Sequence, residues 1–166
     1  MKKEMTFNVN GERYTVQVDI RRTLLEVLRE TLGLTGTKEM CNKGDCGGCT
    51  VIMDGRPVLS CLTLAIEAQG KKIITIEGLA DGYTLHPIQQ AFVETGAIQC
   101  GYCTPGFIMS AKALLDRNPH PTEDEIKGGI ANNICRCTGY VQIVEAIQAA
   151  SRTMSGATRK TRGGKR

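Results

Sequence analysis

The sequence predicts an α+β chain: a small mixed sheet with one packed helix, followed by a bundle of short helices. Three observations point there. The first part of the chain alternates apolar and polar residues between tight turns, the period of half-buried strands. After Thr84 the apolar spacing becomes helical and helix-start signals recur. Eight cysteines divide between the two patterns, four in each, with none left over.

Met5–Val9 and Arg13–Val18 alternate, and Asn10-Gly11 between them is a strong two-residue hairpin signal. Thr23-Leu24-Leu25-Glu26 is a capping box, with Thr23 as N-cap and Glu26 three residues on. Leu24, Leu25, Val27, Leu28 and Leu32 give the following helix an apolar face, and Gly33 fits its stop. A glycine-rich cysteine loop follows. Then come a strand over Thr50–Met53, an Asp54-Gly55 turn, a strand around Val58 and a last strand over Lys72–Ile76. Two strands, a helix and further strands outline a β-grasp domain, expected to span residues 1–77.

Leu79–Thr84, with Gly82, reads as a linker. His86-Pro87 opens a helix through Ile88, Ala91, Phe92 and Val93. Thr104-Pro105 opens a second, with proline at the first helical position, where its missing N–H costs nothing. Thr122–Glu125 is another capping box, ahead of Ile126 and Ile130. A fourth helix is expected from about Val141 to Ala150. Four short amphipathic helices imply a four-helix bundle-like domain over residues 78–154. Residues 155–166 carry Arg159, Lys160, Arg162, Lys165 and Arg166 and no acid. Removing those five charges from the net +4 leaves the body at −1, so the basic character belongs to a tail that reads as disordered.

The cysteines carry the chemistry. Cys41, Cys46, Cys49 and Cys61 follow C-x4-C-x2-C with a distant fourth member, the spacing of a plant-type ferredoxin 2Fe–2S site. Three of the thiolates sit on one glycine-rich loop, where the backbone can take strained conformations and bring N–H groups to sulfur. Lys38 and Lys43 stand close enough in sequence to offset negative charge there. Cys100, Cys103, Cys135 and Cys137 form a second quartet at predicted helix ends, C-x2-C and then C-x-C after a long gap. Helix N-termini offer free N–H groups to an anionic group. Disulfides compete with this reading, but the N-terminus lacks the apolar run of a signal peptide, so a reducing, cytoplasmic setting is expected. Structural zinc competes too, although zinc sites usually pair two short knuckles, a poor fit to Cys61 and the x4 spacing.

Composition narrows the function. Of 166 residues, 41% are hydrophobic and 4% aromatic, with no tryptophan, so the cores must be aliphatic. No apolar run is long enough to span a bilayer. His86 and His120 each adjoin a proline and stand in no catalytic constellation, and neither a dinucleotide fingerprint nor a P-loop is present. No catalytic residue is assigned, and no nucleic-acid recognition motif accompanies the basic tail. The chain reads as a conductor of electrons whose substrate chemistry lies elsewhere.

Three segments extend this reading. Lys43–Val51 (KGDCGGCTV) resembles the ferredoxin-type loop of the molybdenum hydroxylase (xanthine oxidase) family. Gln99–Gly106 (QCGYCTPG) and Asn133–Tyr140 (NICRCTGY) resemble that family's second-cluster segments. The likeness runs from about Phe7 to Ala150 and includes all eight ligand positions. It implies the small iron–sulfur subunit of such an enzyme, or the N-terminal part of a fused chain, carrying two 2Fe–2S clusters. A large subunit would hold molybdopterin, and a medium subunit FAD. The resemblance places the second cluster nearer the pterin, with Gln99 and Cys137 touching it and Cys137 also binding iron, and turns the first cluster toward FAD. Family substrates include purines, aldehydes, carbon monoxide, N-heterocyclic carboxylates and aromatic acyl-CoA thioesters. A free-standing ferredoxin-like electron carrier is the alternative.

Overall fold

The computed structural model describes residues 1–162. Strands β1 (Lys2–Val9) and β2 (Glu12–Asp19) form an antiparallel hairpin in which Phe7 faces Tyr14 and Met5 faces Val16. Its turn residues Asn10 and Gly11 have φ of 54° and 85°, the left-handed pair that a two-residue hairpin needs. Strands β3 (Thr50–Met53) and β4 (Arg56–Leu59) form a second hairpin around Asp54-Gly55. Strand β5 (Lys72–Ile74) then inserts between the hairpins, parallel to β1 and antiparallel to β3. The five strands lie in the order β2-β1-β5-β3-β4, and the sheet is mixed, as expected of the predicted α+β class.

Helix α1 (Leu24–Glu26) starts with the predicted capping box: Glu26 N–H donates to Thr23 Oγ1 at 3.2 Å, and Thr23 N–H donates to Glu26 Oε2 at 2.7 Å. The helix then widens into a π-helical turn over Val27–Thr31, closed by Leu32 N–H on the Val27 carbonyl. Leu24, Val27 and Leu28 are fully buried against Met5, Phe7, Val51 and Ile73, which form the core of this half.

The second half contains α2 (Pro87–Glu94), α3 (Thr104–Arg117), α4 (Glu123–Gly129) and α5 (Val141–Arg162). His86 caps α2, its Nδ1 accepting from Ile88 N–H at 3.2 Å, and Thr122 and Glu125 close the capping box of α4. Ile88, Phe92, Phe107, Leu115, Ile126 and Ile147 form an aliphatic and phenylalanine core.

Two findings depart from the sequence reading. Helix α5 does not end near Ala150, and the chain is not irregular from Ser155: the helix runs to Arg162. Its added turns are tied by polar as well as apolar contacts, with Met154 packed against the helical core. Ser151 Oγ and Ser155 Oγ, four residues apart on one face, both donate to the Pro119 carbonyl, at 2.7 and 3.3 Å. Residues 163–166 of the tail lie outside the described residues. The halves are also not loosely strung together. Met109 and Ala113 of α3 are buried against Ile52 of β3, with Ile74, Ile76 and Leu79 packed alongside. Ile76 and Leu79 also pack against the helical core, so the segment read as a linker begins inside a continuous apolar seam.

Candidate metal centres

The first quartet is built by a loop that folds back on itself. Asn42, Gly44 and Gly47 have φ of 52°, 88° and 67°, so the backbone repeatedly takes left-handed turns between Cys41 and Cys49. Thr50 locks the end of the loop, its Oγ1 donating to the Gly47 carbonyl at 2.7 Å. The fourth member, Cys61, arrives from the turn after β4, where Ser60 Oγ and N–H donate to the Cys49 carbonyl. Leu25 and Leu59 close over Cys49 and Cys61. Cys46, Cys49 and Cys61 are buried, and Cys41 is half-buried.

Peptide N–H groups converge on this quartet as expected. Those of Lys43, Cys46 and Asp45 hydrogen-bond the Cys41 sulfur; the Lys43 N–H is the largest influence and brings the thiol down to about 6. Burial instead pushes Cys61 up to about 12, although Gly44 N–H favours its thiolate. Lys43 pairs with Asp45 at 3.6 Å on the exposed surface, and Lys38 Nζ donates to the Thr35 carbonyl at 3.0 Å.

The second quartet is assembled at helix ends. Cys100 and Cys103 flank Gly101 (φ 79°) just before α3, with Cys103 in the N-cap position. Cys135 and Cys137 lie between α4 and α5. Thr138 serves Cys135 twice, its Oγ1 at 3.2 Å and its N–H at 3.4 Å from the sulfur. Burial acts against a Cys135 thiolate, but these donors outweigh it and hold the thiol below its ordinary value. Tyr140, at φ 72°, secures the same loop: its hydroxyl accepts from Cys135 N–H at 3.0 Å and its ring meets Phe107 edge-on at 6.1 Å. Cys103 is pushed up to about 12, chiefly by burial. Cys100 and Cys137 are exposed, and Gln99 beside them is exposed as well.

Within each quartet the sulfurs close in twos. Cys41 hydrogen-bonds Cys46, and Cys61 hydrogen-bonds Cys49. Cys137 Sγ lies 3.6 Å from Cys100 Sγ, and Cys103 hydrogen-bonds Cys135. Among the described residues, no three Cys, His, Asp or Glu side chains converge as a single-ion site. Two pairs of thiolates suit two tetrahedral irons joined by bridging sulfides better than one zinc ion gripped by all four. The glycine-rich loop, the N–H groups aimed at sulfur and this pairing therefore fit a 2Fe–2S group in each quartet.

The quartets also touch one another through their loops. Ile134 N–H, next to Cys135, donates to the Cys46 carbonyl at 3.0 Å. Asn133 Nδ2 donates to the Gly47 carbonyl at 3.0 Å. Tyr102 Oη, between Cys100 and Cys103, donates to the Glu39 carbonyl at 2.8 Å, and Lys38 Nζ lies 5.9 Å from the Tyr102 ring centroid. Sequence reasoning gave Tyr102, Asn133, Thr138 and Tyr140 no individual roles. Their only signal was proximity to cysteine, since their partners are distant or depend on loop geometry.

Comparison with known proteins agrees with this geometry. Residues 7–73 match the family described as 2Fe-2S iron-sulfur cluster binding domain, and residues 75–148 match the 2Fe-2S binding domain family. The chain is 49% identical over 149 residues to the nicotinate dehydrogenase small FeS subunit of Eubacterium barkeri, covering 90% of this chain and 95% of that one. It is 52% identical over 144 residues to the nicotine 6-hydroxylase small subunit of Paenarthrobacter nicotinovorans, covering 87% of each. Among solved structures, a chain of quinoline 2-oxidoreductase from Pseudomonas putida 86 superposes with a TM-score of 0.90 at 41% identity, covering 93% of this chain and 97% of that chain.

Proposed function

We propose a route for electrons through this chain from the premise that it belongs to the molybdenum hydroxylase family, as the small iron–sulfur subunit of a multi-subunit oxidoreductase. Each quartet holds a 2Fe–2S cluster, which supplies one-electron storage. The residues around each quartet do the rest: they hold iron and aim N–H groups at sulfur, and those of the first quartet also shield it from water. Electrons enter at the second quartet from a molybdopterin-bearing large subunit, with exposed Gln99 and Cys137 at the pterin edge. They pass to the first quartet and leave on the Cys41 side toward FAD in a medium subunit or toward an external acceptor.

The observation that carries this direction is the difference in exposure. Cys100 and Cys137 stand open to a partner, whereas the first quartet shows only the half-buried Cys41. A groove between α4 and α5, lined by Ile130, Ile134, Tyr140 and Val141 with Glu123, Lys127 and Glu145, offers a docking face. Gln99 has an amide with both donors and an acceptor, suited to a pterin edge. The free-standing carrier gives way to the subunit reading, because the similar proteins are themselves subunits. A division into a ferredoxin-like part over 1–77 and a helical part over 78–154, with α5 continuing to Arg162, remains part of the proposal, as does a cytoplasmic location, which eight free thiols suit.

Purifying the native complex tests this. Large and medium subunits, pterin, FAD and two 2Fe–2S clusters per small subunit are expected, and Gln99→Ala should keep full iron while slowing substrate-driven reduction of the clusters. A chain that purifies alone with its clusters intact would contradict the assembly, and an unchanged reduction rate would remove Gln99 from the pterin edge.

A further inference from the structure

The two quartets are joined by a pair of consecutive hydrogen bonds. Carbonyls of Cys46 and Gly47, adjacent on the first loop, accept from Ile134 N–H and Asn133 Nδ2, adjacent on the second, both at 3.0 Å. The Ile134 bond links the two ligand sets by a short path. From Cys46 it crosses one carbonyl and one N–H to Ile134, whose next residue is the ligand Cys135. Ile134 is 48% exposed. Asn133 is 4% exposed, and its amide holds the neighbouring carbonyl from inside the seam.

The surroundings are shaped to admit that amide. A Cβ on Gly47 would strike the Asn132 carbonyl oxygen and the Asn133 side chain, and one on Gly106 would strike the Gly47 carbonyl oxygen. Two close approaches of backbone thus meet where the Asn133 side chain bridges the loops. Asn133 uses only its donor there, because Oδ1 is buried without a hydrogen-bond partner. An unpaired buried acceptor costs stability, and the Gly47 carbonyl already accepts from Thr50 Oγ1 and Thr50 N–H, so the Asn133 amide is not needed to satisfy that carbonyl; what it adds is a link from the second loop to the first.

We infer that Asn133 is a positioning residue for electron transfer between the two clusters, clamping the Gly47 carbonyl so that the Cys46–Ile134 hydrogen bond keeps the ligand loops in register. The inference rests on the two-cluster route proposed above. The transfer it serves balances simply: the electron given up at the Cys100 quartet is the one accepted at the Cys41 quartet, with no bond broken and no proton moved.

Asn133→Ala and the near-isosteric Asn133→Leu test it in the assembled complex. Leucine retains most of the volume and removes the unpaired acceptor along with the donor, so the fold should survive even if alanine leaves a destabilising gap. Three readings are taken: iron per chain, the spin–spin splitting between the two dithionite-reduced clusters by EPR, and the rate of inter-cluster equilibration after pulsed one-electron reduction. Full iron with an altered splitting and a severalfold slower equilibration is expected for both variants. Wild-type splitting and rate at full iron would overturn the inference. Loss of iron from both variants would also overturn it, making Asn133 an assembly residue. A wild-type chain without two 2Fe–2S signals would instead overturn the reading beneath it.

Discussion

The first quartet is enclosed by its own loop, whereas the second is held between helix ends and left open. Cys46, Cys49 and Cys61 are buried, and the donors to Cys41 are peptide groups from within the loop. In the second quartet Cys100 and Cys137 are exposed, and Cys135 depends on the Thr138 side chain as well as on backbone. An enclosed site is complete within the chain, while an open one is finished by whatever docks on it. Potential depends on hydrogen bonds and exposure as well as on ligands, so two scaffolds give two inequivalent clusters within one small protein. The same comparison has a second side: the quartets differ in enclosure, yet they share a buried seam and a hydrogen-bonded bridge.

The sharpest way to break the comparison is to remove one enclosed ligand. Cys61→Ser should abolish the EPR signal of the first cluster and keep that of the second, because the Ile134–Cys46 bond is made by backbone and survives the change. Loss of both signals would mean that the quartets assemble as one unit. The next largest effect should come from the seam. Met109 is buried between α3 and β3, and Met109→Ala should cost about 2–5 kcal/mol, the range for deleting a buried methionine side chain. If the seam unites the halves, denaturation followed through the sheet and through the helices should remain a single transition at lower denaturant. Separate transitions would show that each half stands alone.

Smaller effects sharpen each side separately. Thr138→Val removes the hydroxyl donor to Cys135 Sγ and should lower the reduction potential of the second cluster only, since hydrogen bonds to sulfur favour the more negative reduced state. Redox titration followed by EPR resolves the two. A shift in the first cluster instead would reverse the assignment of signals. The smallest effect concerns pH. Burial holds His86 below its ordinary value of 6.5, with nearby Lys112 acting in the same direction and Asp116 opposing it. As the N-cap of α2 it must stay neutral to accept from Ile88 N–H. The unfolded chain therefore takes up a proton that the folded chain resists, and stability falls as pH drops below about 6.5. His86→Asn, a good N-cap without a titrating ring, should flatten that decline in urea titrations between neutral and mildly acidic pH. An unchanged slope would place the acid sensitivity elsewhere.

What could be read in the sequence follows from range. The Asn10-Gly11 turn and the capping boxes at Thr23 and Thr122 are local patterns with local causes, and the structure has them. The β-grasp outline was legible in the order of elements, whereas the registers by which β5 pairs with β1 and β3 were not, because they depend on distant segments. Nor was the seam, since Ile52 and Met109 carry no mark of facing each other rather than their own cores. Helix α5 runs past Ala150 with Ser151 and Ser155 tied to the Pro119 carbonyl and Met154 packed on the helical core, contacts with distant segments that the local spacing does not announce. Lys38 and Lys43 stand near cysteine in sequence; their contacts to the Thr35 carbonyl and to Asp45 come from the folded loop. The bridge from Asn133 and Ile134 joins residues 86 apart in the chain at Gly47, beyond any local pattern.

The measurement that bears most directly on the central account is substrate-driven reduction of the Cys61→Ser complex, followed by rapid-freeze EPR with an external acceptor present. If electrons enter at the exposed Cys100 quartet and leave through the Cys41 quartet, the second cluster should be reduced at the wild-type rate and then remain reduced, because its exit is gone. A second cluster that stays oxidised while substrate is present, or that passes electrons to the acceptor as fast as in the wild type, would contradict that order.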